Sequence, residues 1–184
     1  MGARGRRFPV PRRLRCAARP TGSRQQQARL RDWLQHSASL TARIRLGCRQ
    51  FAVMPQREGL ARCAPWERSV LRLQGPAHVR EVCLLADGVP VVWARTVTAR
   101  RGLRGAWRFL AALGTRPLGA RLFTDPRIER SHFRFLPRYV APAGAVVPVG
   151  LSLGVGAARF ALLRRQGELA LLIEVLLPAI CGLP

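Results

Sequence analysis

The stretch HVREVCLLADGVPVVWARTV, residues 78–97, restricts the fold more than any other part of the chain. Two runs rich in Val, Leu and Trp flank Asp87-Gly88, which is the strongest short-range signal for a two-residue β-hairpin turn. A two-residue loop sets the register of the whole hairpin, and counting outward from the turn places Arg80 directly opposite Arg95. The sequence therefore predicts an antiparallel hairpin that carries two arginines side by side.

The predicted arginine pair lies on an apolar face of this hairpin. Period-two alternation puts Arg80 on the same face as Val82 and Leu84, so that face is expected to be interior. Two guanidinium groups beside apolar side chains repel each other unless an anion joins them, and their forked donors suit carboxylates. The pair is therefore a candidate anion site. Two alternatives stay open: both arginines extend outward to solvent, or they form a salt bridge with Glu174 alone.

A second unusual feature is the single carboxylate in LLIEVLLPAI, residues 171–180. Glu174 is surrounded by Leu, Ile, Val and Ala, and burying an ionised carboxylate without a partner costs several kcal/mol. Three answers remain open for what this side chain faces: solvent on an edge strand, a structural arginine, or a ligand.

The order of the other patterns indicates an α+β fold. Helices and strands do not alternate as they do in parallel βαβ folds, so the strands are expected to form an antiparallel sheet. Residues 47–68, with Pro55, Gly59 and Pro65, are predicted to be irregular. The predicted helices are 27–36, SLTARIRL (39–46), AWRFLAAL (106–113, ended by Gly114) and PLGARLF (117–123), and the last strands are Phe160–Leu163 and Leu169–Leu177, joined at Gln166-Gly167.

Charge divides the 184-residue chain into two parts. Its net charge is +23, all 32 basic residues are arginine, and no Asp or Glu precedes Asp32. Residues 1–25 are predicted to be a disordered Arg-rich arm and residues 26–184 a folded domain. The arm fits contact with nucleic acid, attraction to anionic lipid, a transit-like peptide or a plain unstructured extension. Because the arginines are scattered and recognised motifs are missing, specific nucleic-acid binding is not expected.

Several classes of protein are disfavoured by what the sequence lacks. The five cysteines form no CxxC pair and the three histidines no HExxH cluster, so neither a metal site nor a disulfide framework is expected. No GxSxG, P-loop or GxGxxG motif occurs. The uncharged stretch 139–158 is rich in Pro and Gly and is predicted to be loop and strand, not a transmembrane segment. The remaining chemistry is binding of an organic acid, or a lysis that needs positioning and electrostatics.

Four segments, in this order, resemble the chorismate lyase family: DWL…SLTARI (32–44), VREVCLLADGVPVVWARTV (79–97), LGTRPLGARLF (113–123) and LLIEVLLP (171–178). The resemblance covers roughly residues 30–180. The family has a Trp-(Ala/Gly)-Arg-Arg-Ser segment before the penultimate strand. This chain has AARFALLRRQG there, and only Arg159 matches.

The resemblance implies a fold and a reaction. The fold is a single antiparallel β-sheet with helices packed on it and helical flaps over an enclosed ligand site. The reaction converts chorismate to 4-hydroxybenzoate and pyruvate without a cofactor or metal, in ubiquinone biosynthesis, and the protein is expected to be a cytoplasmic monomer. The alternative is a non-catalytic module of the same fold that binds a small aromatic acid.

The resemblance also assigns roles to five residues. It implies that Arg80 grips the carboxylate of the aromatic acid and that Glu174 contacts the ring hydroxyl at the other end. Arg95 is expected to join Arg80 as a catalytic residue that meets the second carboxylate of the substrate. Leu118 and Leu40 are expected to contact the product through their main chains.

Overall fold

A seven-stranded antiparallel sheet organises the protein in a computed structural model that describes residues 23–148 and 156–184. Six of the strands lie in the order β1-β2-β3-β7-β6-β4, and β5 also pairs with β6. Every pairing is antiparallel, which confirms the predicted α+β class with one antiparallel sheet. The strands are β1 Phe51–Ala61, β2 Ala77–Ala86, β3 Val89–Ala99, β4 Glu129–Arg130, β5 Arg134–Leu136, β6 Ala158–Arg165 and β7 Glu168–Leu176.

Short helices pack against this sheet, largely where the sequence predicts them. Ser39 caps the second helix by accepting a hydrogen bond from the Ala42 N–H through its hydroxyl, as helix N-termini require. The predicted helix at 106–113 is 3₁₀ in its regular part, and Gly114 follows it in the left-handed region at φ +52°. The helices are α1 Arg24–Gln35, α2 Leu40–Leu46, α3 Pro65–Leu71 and α4 Leu118–Leu122, with 3₁₀ helices at Arg100–Arg104, Arg108–Ala112 and Pro178–Gly182.

The β2–β3 hairpin forms at Asp87-Gly88 as predicted, but its register shifts by one residue. Leu84 pairs with Val92, and Leu85 with Pro90, so Val91 is the extra residue of a β-bulge. The bulge directly follows Pro90, which has no N–H to donate to the ladder. The predicted register beyond the bulge is therefore wrong by one residue. A shift of one residue moves each side chain of β3 to the other face relative to β2.

The prediction that residues 47–68 are irregular is also wrong. β1 and the start of α3 occupy most of this segment. β1 lies at the edge of the sheet, and its register is interrupted between Pro55 and Arg57. Gly59 adopts φ +144°, a backbone conformation that other residues rarely take. The interruption removes the regular apolar alternation that identifies a strand in a sequence.

Hydrophobic clusters cover both faces of the sheet. On one face, Trp93 and Phe160 pack beneath α3 and the segment at 139–147, in a cluster that includes Tyr139. On the other face, α1 and α2 with the 3₁₀ helix at Pro178–Gly182 cover one half of the strands, and α4 with the other two 3₁₀ helices covers the other half. The boundary between these two halves is the part of the sheet on which the candidate site lies.

Two predictions fall partly outside the described residues. Of the predicted arm, 1–25, only the last three residues are described, and two of them begin α1. Of the uncharged stretch 139–158, residues 139–148 form neither helix nor strand, and β6 begins at residue 158. Within the two described ranges, no helix has the length and apolar character needed to cross a bilayer.

Candidate active site

The floor of a cavity is made by two rows of side chains that cross three neighbouring strands. Each row takes one residue from β2, one from β3 and one from β7, all on the same face. Arg80 and Glu174 stand at diagonal corners, so their Cα atoms are about 12 Å apart in a regular sheet. The small side chain of Ala94 leaves space between them. The rows are Arg80–Thr96–Leu172 and Val82–Ala94–Glu174.

The first turns of α2 and α4 form the roof of this cavity. Thr41 of α2 and the segment Pro117–Gly119 line it opposite the sheet. The cavity volume is about 30 Å³, and the space between atoms is about 360 Å³ when the open mouth is included. The two helices approach closely because Gly119 has no side chain. A Cβ atom on Gly119 would lie 3.1 Å from the hydroxyl oxygen of Thr41. The roof is therefore two short helices that meet over the sheet.

Arg80 is buried at one end of the cavity, and one of its N–H groups makes no hydrogen bond within the described residues. Its Nη2 donates to the carbonyl oxygens of Gly114 at 2.7 Å and Arg116 at 3.2 Å, which ties the segment before α4 to the sheet. Its Nε–H has no hydrogen-bond acceptor among the described residues, and the nearest carboxylate oxygen, of Glu58, is 3.9 Å away. Burial lowers the pKa of the Arg80 guanidinium, and Glu58 opposes that shift.

Glu174, at the opposite corner, is held by an arginine from the adjacent strand. Arg159 of β6 is its cross-strand partner, and the Arg159 Nε donates to Glu174 Oε2 at 2.7 Å. The guanidinium is 1% exposed and the carboxylate side chain 12% exposed. Of the three alternatives for Glu174, the structure confirms the structural arginine. The carboxylate also borders the cavity, and a ligand there stays a prediction. An edge-strand position is wrong, since β7 lies between β3 and β6.

Arg95 lies on the other face of the sheet, so its predicted pairing with Arg80 is wrong. The bulge places Arg95 opposite Glu81, and it leaves Thr96 opposite Arg80. Its guanidinium is buried between two carboxylates, with Nε 2.9 Å from Glu67 Oε1 and Nη1 bonded to Glu81 Oε1. This arginine therefore does not line the cavity and belongs to a buried ion cluster under α3.

The two leucines named from the sequence have different positions. Leu118 lines the cavity from the roof. Leu40 packs with Trp33 and Ile44 in the hydrophobic cluster under α1, and the next residue, Thr41, is the one that faces the cavity. The structure thus brings together Arg80, Leu118 and Glu174 but neither Arg95 nor the side chain of Leu40.

The sequence reasoning missed Arg159 as the partner of Glu174, although a signal for it exists. A two-residue turn at Gln166-Gly167 fixes the register of β6 and β7 in the same way that Asp87-Gly88 fixes the first hairpin. Counting outward from that turn places Arg159 opposite Glu174, and no bulge intervenes. Thr96 and Thr41 were missed because a threonine carries no distinctive pattern of its own.

The arrangement can bind a small organic acid that has a second polar group. One end offers a buried cationic donor and the other a carboxylate acceptor, and the floor between them is mostly apolar. Such a pocket fixes the direction of its ligand, because an acid group and a hydroxyl prefer opposite ends. No group of three or more His, Cys, Asp or Glu side chains able to hold a metal ion occurs in residues 23–148 and 156–184.

Comparison with known proteins identifies the family of this chain. The family model described as chorismate lyase matches residues 18–181. A probable chorismate pyruvate-lyase of Aromatoleum aromaticum is 45% identical over 165 residues, covering 85% of this chain and 89% of that protein. One of Azoarcus sp. is 42% identical over 181 residues, covering 91% and 92%. The chain therefore belongs to the chorismate lyase family. Among solved structures it is similar to the effector domain of PhnF from Mycobacterium smegmatis, with 13% identity, coverage of 69% and 80%, and a TM-score of 0.43.

Proposed function

We propose that this protein is an active chorismate lyase that converts chorismate to 4-hydroxybenzoate and pyruvate. Membership of the family supports this proposal, as do relatives above 40% identity that are named probable chorismate pyruvate-lyase. The proposal extends to the first committed step of ubiquinone biosynthesis, carried out in the cytoplasm by a monomer that needs no cofactor.

One observation carries the assignment of the site. Arg80 lines the cavity, and its buried Nε–H has no hydrogen-bond acceptor in the described part of the chain; the Glu58 carboxylate lies 3.9 Å away. Leaving a buried charged donor unpaired is costly, and a carboxylate that enters the cavity supplies the missing acceptor. The ring carboxylate of the substrate therefore binds Arg80, and the ring hydroxyl reaches Glu174. Leu118 contacts the ring from the roof, and the main chain at Leu40 and Thr41 closes the same side.

The reaction itself asks little of the protein beyond positioning. The ether bond between C3 and the enolpyruvyl oxygen breaks, the proton on C4 leaves, and the new double bond makes the ring aromatic. The released enolpyruvate takes up a proton to become pyruvate, so atoms and charge balance. Aromatisation supplies the driving force, and the site contributes by holding the dianion in a reactive orientation in a water-poor cavity. Glu174 accepts the hydrogen bond of the C4 hydroxyl and thereby fixes that orientation.

The test is turnover by the purified protein. Chorismate is added, and 4-hydroxybenzoate is followed by chromatography while pyruvate is followed by a coupled dehydrogenase; equal yields are expected. Arg80→Gln removes the charge-assisted hydrogen bond and is expected to lower kcat/KM by about ten- to a hundredfold. Arg165→Gln is the matched control, because Arg165 is also buried but pairs with Asp125 away from the cavity.

Three results would contradict the proposal in different ways. Tight binding of 4-hydroxybenzoate without turnover would support the alternative of a non-catalytic binding module. Neither turnover nor binding would contradict both. Equal kinetic losses in Arg80→Gln and Arg165→Gln would show that the loss comes from general destabilisation instead of the site.

A further inference from the structure

Arg159 is held by hydrogen bonds at two of its guanidinium nitrogens and by an aromatic ring. Its Nε donates to Glu174, and its Nη1 donates to the carbonyl oxygen of His36 and, at 3.5 Å, to that of Leu34. These two carbonyls belong to the end of α1 and the residue that follows it. Arg159 therefore links the carboxylate at the end of the cavity to the connection between α1 and α2.

An aromatic ring fixes the plane of the same guanidinium. The Arg159 Cζ lies 4.0 Å from the centroid of the Phe133 ring, and Arg130 lies 4.4 Å from that centroid. Arg130 in turn donates to the Ser37 carbonyl, in the same connection before α2. Stacking of this kind orients a planar cation without using its hydrogen-bond donors. Those donors stay available for the carboxylate and the carbonyls.

We infer that Arg159 is a positioning residue: it aims the Glu174 carboxylate at the hydroxyl of the bound aromatic acid and so sets the preference for a hydroxylated ring. This inference rests on the proposed function. Because Arg159 engages Oε2, the other oxygen of Glu174 is the one that a ligand in the cavity meets. A carboxylate held in this way accepts a hydrogen bond at a fixed place, which is what discrimination between ligands requires.

A purely structural role is the competing explanation, and the two make different predictions. Removing one partner of a buried ion pair destabilises the fold whatever other role the pair has, so loss of stability in a variant decides nothing. If Arg159 orients Glu174, a variant at Arg159 also changes the relative affinity for two ligands that differ only at the hydroxyl. The ratio of Kd values for benzoate and 4-hydroxybenzoate is therefore the informative quantity.

The experiment compares this ratio in the full-length protein and its variants by equilibrium titration. The wild type is expected to bind 4-hydroxybenzoate about tenfold or more tightly than benzoate, the value of a hydrogen bond to a charged acceptor. Arg159→Gln is expected to bring the ratio close to one and to lower kcat/KM for chorismate on the order of ten- to a hundredfold. Arg159→Lys keeps the charge but not the fork, so it should restore part of the ratio.

Two further variants make the outcome decisive. Arg165→Gln removes another arginine of β6 that pairs with a carboxylate outside the cavity, and it should leave the ratio at the wild-type value. Phe133→Leu keeps the ion pair but removes the stacked ring, and it should lower the ratio by a smaller factor. It also covers the case in which Arg159→Gln does not fold.

Failure of the proposed function and failure of the inference about Arg159 give different results. A wild type that neither turns over chorismate nor binds 4-hydroxybenzoate contradicts the proposed function, and the inference falls with it. If the wild type discriminates but the folded Arg159→Gln protein keeps the same ratio, Arg159 is structural and only the inference is overturned. If Arg159→Gln does not fold, an unchanged ratio in Phe133→Leu overturns it equally.

Discussion

Replacing Arg95 with methionine tests whether the ion cluster on one face of the sheet contributes to stability without contributing to ligand binding on the other face. The Arg95 side chain is 1% exposed, and it bonds to Glu67 and Glu81, both of which are fully buried. Tyr139 donates its hydroxyl hydrogen to Glu67, and the Val146 N–H donates to Glu81. The arginine is thus a counter-charge that two buried carboxylates share. Methionine fills similar volume but leaves both carboxylates without a counter-charge.

The expected cost follows from that geometry. Breaking a buried ion pair by removing one partner costs about 3–5 kcal/mol, and Arg95 serves two partners. Domains of this size have about 5–15 kcal/mol of stability in total, so the variant should fold but unfold at a clearly lower urea concentration. Adding Glu67→Gln to Arg95→Met removes one of the two stranded charges. The double variant should therefore be more stable than Arg95→Met alone.

The affinity for the ligand, in contrast to the stability, should hardly change in Arg95→Met. Because the cluster lies on the face away from the cavity, Arg95→Met should change the Kd for 4-hydroxybenzoate by no more than about twofold. Arg80→Gln should lower the affinity by about tenfold or more, and losing its hydrogen bonds to the Gly114 and Arg116 carbonyls should lower the urea midpoint as well. Tryptophan fluorescence in urea and equilibrium titration at pH 7 measure the two quantities. Loss of binding in Arg95→Met with an unchanged free energy of unfolding would refute this reasoning and return Arg95 to the site.

Two further predictions concern the ionisable groups away from the cavity. Hydrogen bonds from Arg127 and Arg165 hold the pKa of Asp125 below its usual range. The stability that ionised Asp125 contributes is therefore complete above about pH 4, the pKa of an unfolded aspartate, and is lost as the pH falls further. Asp125→Asn should therefore lower the Tm at pH 7, and the difference from wild type should shrink below pH 4; a constant difference would contradict the assignment. Burial raises the pKa of the Cys83 thiol to about 12, so alkylation at pH 8 should modify Cys83 only after unfolding in urea. Mass spectrometry of its peptide checks this, and labelling as fast as that of half-exposed Cys48 would count against it.

The sequence was sufficient for the parts of the fold that local rules determine. Both two-residue turns, at Asp87-Gly88 and Gln166-Gly167, form where predicted, and all four turn residues have positive φ. The antiparallel class follows from those hairpins. The register of the first hairpin was not predictable from the turn alone, since the bulge beside Pro90 depends on which backbone groups the ladder can satisfy.

That one-residue shift explains why the candidate site was predicted only in part. Arg80 and Glu174 stood out because each places a charge in an apolar strand. The partner of each charge depends on long-range register, which the sequence leaves undetermined once a bulge is possible. Arg95 was assigned to the wrong face for this reason. The pairing of Arg159 with Glu174 could be predicted from the undisturbed β6–β7 hairpin, but only by extending its register to seven residues from the turn.

A crystal structure of the protein with 4-hydroxybenzoate tests the proposed site most directly. We expect the ligand to lie between the sheet and the roof formed by α2 and α4. Its carboxylate should accept a hydrogen bond from the Arg80 Nε–H, and its hydroxyl should donate to the Glu174 oxygen that Arg159 leaves free. A ligand bound elsewhere, or one bound in this cavity with its carboxylate at the Glu174 end, would contradict the central claim.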